Sequence, residues 1–298
     1  MQLGAHLPLI AFDGERPTLA RLRSFAQQAA EHGYRYLCAN DHLLFGRPWL
    51  DGPLALAATI DAAADMTLAT TVCLPVLRGA PQTAKALAAL DVLADGRLVA
   101  GVGPGSSSRD YEAAGVPFEE RWRRFDDAIG ELRTLLGPES PLEPRPATPP
   151  PLWIASWGSP AGLRRVARLG DGWLASAYNT TPARFRDARA ALAAELRAAG
   201  RDPDAFPNAI ATMWLYVTDS PREADRVLEQ VLAPAIGRTV EELRSLDLPI
   251  GAPEQCAERF DAFAQAGAER IFVWPLADEL RQLELVRERV MPLVSAAG

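Results

Sequence analysis

The sequence has almost no lysine, few cysteines and no long apolar run, and each shortage removes a class of function. Lys85 is the only lysine among 31 basic residues, and with 38 acidic residues the chain carries a net charge of −7 and a pI near 5.2. That balance is a poor match for a phosphate backbone, so no nucleic-acid partner is expected. No stretch approaches the ~20 consecutive apolar residues of a membrane span. The N-terminus lacks the basic-then-apolar layout of a secretory signal, so a cytoplasmic protein with no membrane partner is expected. Cys38, Cys73 and Cys256 stand at no metal-ligand spacing and fall in segments that read as strand or helix. They predict buried, reduced thiols and no metal centre. The glycine fingerprint that follows the first strand of a dinucleotide-binding sheet is also missing, since Leu7-Pro8-Leu9 stands in its place.

What the sequence does have is alternation. Residues 68–106 read as a strand rich in β-branched residues, a helix begun near Pro81, and a second strand at 97–102 that runs into Gly103-Pro104-Gly105. Strand, crossover helix and strand in that order demand parallel pairing. Further strands are predicted at 2–9, 34–39, 152–156, 172–176, 209–218 and 270–274. The helices fall at 18–32, from near 53, and at 119–136, 159–169, 182–199, 254–266 and 279–294. Helical stretches over 221–246 read as an insertion between strands seven and eight, and the proline-rich 138–151 as an irregular surface crossing. With 48% hydrophobic residues and no Gly/Ser or charged linker, the 298 residues form one domain, 1–298. Eight strands alternating with helices predict an α/β fold, a single (β/α)₈ TIM barrel; an open doubly wound sheet is the alternative.

A barrel places functional groups on the loops that follow its strands. Asp41-His42 follows strand two directly. It is either an acid–imidazole pair able to move protons near neutral pH or a loop cap with His42 packed beside Trp49. The segment Ser156-Trp157-Gly158-Ser159-Pro160-Ala161-Gly162 leads from strand five into a helix. Its backbone N–H groups suit a phosphate, and an ordinary Ser N-cap with Pro at the first helical position accounts for it equally. His6 reads as a core histidine and His32 as a solvated one. Trp157, Trp173, Trp214 and Trp274 fall within or just after strands five to eight, where aromatics either wall a pocket for a planar ligand or fill the core.

Four segments, in order, resemble the bacterial luciferase-like superfamily of flavin- and deazaflavin-dependent oxidoreductases: Asn40-Asp41-His42-Leu43, residues 68–105, residues 153–173 (WIASWGSPAGLRRVARLGDGW), and residues 250–258 followed by Ala266-Gly267-Ala268. The resemblance implies a barrel with an isoalloxazine or deazaflavin ring at its carboxyl end. The cofactor phosphate would sit at Gly158-Ser159 and the helix beginning at Ala161-Gly162, beside Trp157. It implies a non-prolyl cis peptide at Thr71-Val72, with Val72 and Leu74 against the ring. Asp41 would contact the cofactor and His42 transfer the proton; Pro104, Gly105 and Arg109 match the loop over the ring and its side chain.

Where members that oxidise sugar phosphates place an acid after the glycine loop, this chain has Ser106, with Asp110 and Glu112 the nearest carboxylates. The lysines that hold a substrate phosphate in those members are missing as well. The resemblance therefore implies hydride transfer with coenzyme F420, whose anionic tail Arg109, Arg164 and Arg165 could meet, to or from a small organic molecule (C=C, C=N or alcohol). The alternatives are an FMN-dependent monooxygenase fed by a separate flavin reductase, and a flavin-binding barrel without turnover. A homodimer is the assembly the family implies.

Overall fold

A computed structural model describes residues 1–295 apart from 11, 13, 15 and 247. The first half runs β1 (Gln2–His6), α1 (Leu19–Glu31), β2 (Tyr36–Ala39), α2 (Gly52–Ala57), β3 (Thr67–Thr70), α3 (Pro75–Arg78), α4 (Ala80–Leu93), β4 (Leu98–Val102), α5 (Ser108–Ala113) and α6 (Arg121–Leu136). The second half runs β5 (Leu152–Ala155), α7 (Pro160–Leu169), β6 (Gly172–Ser176), α8 (Pro182–Ala198), β7 (Asn208–Val217), α9 (Pro221–Arg226), α10 (Ala233–Ile236), α11 (Val240–Ser245), β8 (Ile250–Gly251), α12 (Pro253–Gln265), β9 (Arg270–Pro275) and α13 (Glu279–Leu285). Consecutive strands pair in parallel from β1 to β7, and β9 joins β7 to β1. The ring of eight closes, and the (β/α)₈ barrel stands in place of the open sheet.

The strands are short and almost wholly buried, as parallel strands covered on both faces must be. Helix starts follow local chemistry. Thr18, Asp51, Ser107, Ser159 and Thr181 each accept a first-turn backbone N–H, and Thr239 and Glu242 make a reciprocal capping box.

Apolar residues sort into three cores. The largest lies between strands and helices, and a smaller one (Tyr36, Cys38, Ala69, Val99, Trp153, Leu174, Ala209, Ala211, Phe272) fills the barrel interior. The third joins Ile10, Phe12, Trp214, Tyr216 and Trp274 to Val227, Leu228, Leu232 and Leu243, so the helical stretch after β7 roofs one side of the carboxyl end. The three cysteines are buried free thiols.

Several elements depart from the sequence expectation. The first strand stops at His6 rather than at 9. A ninth strand, β8, pairs with β7 outside the ring, and α5 lies between the strand at 97–102 and the helix at 119–136, where the sequence predicts no helix. No helix among the described residues is long and apolar enough to cross a membrane.

Candidate functional site

Loops and strand ends at the carboxyl end of the barrel enclose a cavity of ≈ 290 Å³. Asn40 and His42 follow β2, Thr71 and Val72 follow β3, Ser106 follows β4, and Trp157 follows β5. Tyr178 and Asn179 follow β6, while Trp214 and Trp274 stand on β7 and β9. The bond between Thr71 and Val72 is cis. Val72 reaches the wall because Gly103 carries no side chain, since a Cβ there would stand 2.9 Å from Val72 Cγ2. Strand β7 shifts register between Ile210 and Met213, and Thr212 adopts φ 56°, a left-handed conformation rare for a β-branched residue. Such irregularities re-aim side chains at functional sites, and Thr212 lines the cavity.

His42 sits on the cavity wall, its ring 4.6 Å from that of Trp49 and 5.3 Å from that of Phe45. Its carboxylate partner is not Asp41. His42 Nδ1 is 2.8 Å from Oδ2 of Asp110, which is almost fully buried and also accepts the backbone N–H groups of Leu43 and Leu44 at 3.3 and 3.0 Å. With three donors converging on it, Asp110 draws the imidazole proton to Nδ1 and leaves Nε2 as the nitrogen for the cavity. Asp41 faces away from this dyad. Arg78 donates Nη2–H to its Oδ1 at 2.7 Å and Nε–H to its Oδ2, and reaches Asp51 as well. The bond to Asp41 is the main reason the Arg78 guanidinium is pushed above its ordinary pKa.

The other sequence candidates separate into places. Of those assigned to the cofactor, Val72 and Trp157 line the cavity. Leu74 lies beneath the turn, where the Cβ of a residue at Gly105 would meet it at 3.3 Å, and the Pro104 carbonyl accepts the Tyr111 hydroxyl. Arg109 is exposed and makes no ion pair among the described residues. Gly158 and Ser159 line a neighbouring groove of ≈ 550 Å³ with Arg184 and Asp187. Trp157, 60% exposed, is shared by groove and cavity. Ser159 serves as N-cap of α7, its Oγ taking the Gly162 N–H at 3.2 Å, so its own proton and the Ala161 N–H remain for an anion. Gly162 is buried, and Ala161 is exposed next to Arg164. Arg165 is committed to Asp126 and to the face of Trp122. Trp173 belongs to the outer core, stacked on Phe185 at 4.8 Å.

The sequence reading gave too little weight to two participants. Asp110 was visible only as a nearby acid, yet Ser107-x-x-Asp110 is a helix-start signature that would have fixed its place at the third position of α5. Trp49 completes the aromatic wall, 5.7 Å from Trp274. His6 is the core histidine the sequence suggests, fully buried and stacked 3.7 Å from Trp274, with Nδ1 3.1 Å from the Leu7 carbonyl.

Burial pushes the His6 pKa down to about 3. Below pH ~6.5 the unfolded chain takes up a proton that the folded chain refuses until about pH 3. Stability is therefore lost as pH falls through this window, by ~1.4 kcal/mol per pH unit from this group. His6→Phe should remove that part of the slope: its denaturation midpoint should change less than the parent's between pH 8 and pH 5.5, and equal changes would show that His6 is not held neutral.

Among the described residues, the buried side-chain polar atoms without a partner are His6 Nε2, Asn40 Oδ1, Trp49 Nε1, Thr71 Oγ1, Trp214 Nε1 and Trp274 Nε1. Five of the six belong to residues that line the cavity, and the sixth stacks on one of them. Buried polar atoms are nearly always paired, so their concentration here marks a place that binds something.

Comparison with known proteins agrees with this fold. The family model for luciferase-like monooxygenases matches residues 5–270. The chain belongs to this family. It is 29% identical to the F420-dependent hydroxymycolic acid dehydrogenase of Mycobacterium tuberculosis, over 91% of this chain and 84% of that protein. It is also 29% identical to the F420-dependent glucose-6-phosphate dehydrogenase of Beutenbergia cavernae, over 92% and 93%. Its fold matches an F420-dependent secondary alcohol dehydrogenase solved with an F420–acetone adduct, at TM-score 0.85 and 18% identity over 98% of each chain.

Proposed function

We propose that this luciferase-like protein is a coenzyme F420-dependent oxidoreductase that transfers hydride to or from a small uncharged organic substrate, with His42 exchanging the accompanying proton. The observation that carries the reading is His42 on the cavity wall, its Nδ1 fixed by buried Asp110 and its Nε2 free. An imidazole held in one tautomer beside a cavity is equipped for general acid–base work. The F420 dependence of the relatives named above supports the cofactor assignment.

The donor set fits such a cofactor. Unpaired Asn40 Oδ1 and Thr71 Oγ1 suit the heteroatoms at the edge of a flat ring, with Val72 beneath it. The start of α7, with the Ala161 N–H, the Ser159 hydroxyl and Arg184 nearby, suits a phosphate. Arg109 and Arg164 are the exposed cations nearest to these places in the chain and suit the anionic tail. Bound there, the deazaflavin supplies a hydride donor or acceptor that does not react through oxygen. The residues of the chain orient the substrate, exclude water and hold the proton at His42 Nε2. No lysine or arginine lines the cavity, which favours an uncharged substrate over a sugar phosphate.

Titration of the purified protein with F420 and, separately, FMN tests this. Micromolar or tighter binding of F420 with weak FMN is expected. The reverse would replace the reading with an FMN-dependent monooxygenase, and binding of neither would end it.

A further inference from the structure

From His42 the cavity wall continues through Trp49 to Trp274 and Trp214, with ring centroids 4.6, 5.7 and 6.3 Å apart in that order. All three indole N–H groups are buried and without a partner. An indole nitrogen can only donate, so no rotation or tautomer relieves it, and each waits for an acceptor that the protein does not provide. No lysine or arginine lines the same wall to meet a carboxylate or phosphate. His6, stacked on Trp274, has no ion-pairing partner and sits in an environment that resists protonation. The rest of the lining mixes apolar side chains, Ile10, Phe45, Leu174 and Ile236 among them, with uncharged polar ones such as Ser106 and Asn179.

We propose that Trp49, Trp214 and Trp274 form a donor-only wall that selects an uncharged substrate carrying at least two acceptor oxygens, carbonyl or ester, on an apolar frame. This rests on the oxidoreductase reading and narrows its substrate class. No lysine or arginine stands in the lining to meet an anion, while the number of unmet donors exceeds what a single carbonyl would satisfy. A hydrocarbon would leave every donor unmet, and an anion would enter without a counter-charge.

Three small probes test the idea by ligand-observed NMR, with and without oxidised F420: ethyl levulinate (ketone and ester), 2-heptanone (one acceptor) and levulinate (the parent keto acid as its carboxylate). Ethyl levulinate should bind tightest and levulinate at least about tenfold more weakly. Trp214→Phe and Trp274→Phe should each weaken ethyl levulinate about three- to tenfold, the worth of one hydrogen bond. Each change also removes buried ring volume, so some loss of melting temperature is expected, and binding is compared at a temperature where every variant is folded. If Trp274→Phe is not recovered folded, Trp214→Phe and Trp49→Phe carry the same test. Equal or tighter binding of levulinate, or unchanged binding in the folded variants, would overturn the proposal. F420 titration of the same samples separates the two readings: the probe pattern without F420 binding removes only the cofactor, and F420 binding without the pattern removes only the donor wall.

Discussion

His42→Ala should lower turnover by about 10²- to 10⁴-fold, the usual contribution of a positioned acid–base group, while leaving the dissociation constant of F420 within about threefold. The two readouts separate because His42 meets the cavity through its ring edge while its other nitrogen is tied to Asp110. Asp110→Asn should approach the same loss by another route. The amide can accept on one oxygen only, whereas the carboxylate serves His42 and the N–H groups of Leu43 and Leu44. Its NH₂ would oppose one of those donors, turning the imidazole toward the wrong tautomer and loosening the loop that carries it. Single-turnover rates with F420 saturating, measured beside the F420 titration, decide it. Unchanged turnover in His42→Ala would remove it from the chemistry, and a loss matched by weakened F420 binding would make it a cofactor ligand instead.

The parts of this site that sequence could reach were those set by local pattern. Alternating strand and helix signals placed Asn40 to His42, Thr71-Val72 and Trp157 at strand ends, and in a parallel barrel all strand ends meet at one mouth. The family resemblance added the cis bond at Thr71-Val72, which the structure contains. Pairings across the chain were beyond reach. Adjacency suggested Asp41 for His42, but successive residues at the end of an extended strand tend to diverge, and the acid that meets the imidazole comes from 68 residues further on. Trp173 looked equivalent to Trp214 and Trp274 in the sequence. Strand alternation turns it outward onto Phe185, and only the register of β6 against β5 and β7 decides which face it takes. The ninth strand was too short to leave a periodic signal.

Arg78→Leu should be the most destabilising single change near the site, by about 3 kcal/mol of unfolding free energy from guanidinium titration at neutral pH. Asp41 keeps only 4% of its side-chain surface and has both oxygens on Arg78, so removing the guanidinium strands a carboxylate away from water. Asp51, a third exposed, can hydrate and still cap α2 through the Leu54 N–H, so it adds little to the cost. The double variant Asp41→Asn/Arg78→Leu should recover much of the loss, because a neutral amide costs less to bury than an unpaired charge. Equal stability of Arg78→Leu and the parent would mean that Asp41 reaches solvent or protonates at no cost. The consequence for function follows from chain order. Asp41 is bonded to His42, and the Asp41–Arg78–Asp51 bridge ties the end of β2 to the start of α2 and the end of α3. Arg78→Leu should therefore lower turnover even at temperatures where it stays folded, and the double variant, which restores stability without restoring the anchor, should recover less activity than stability.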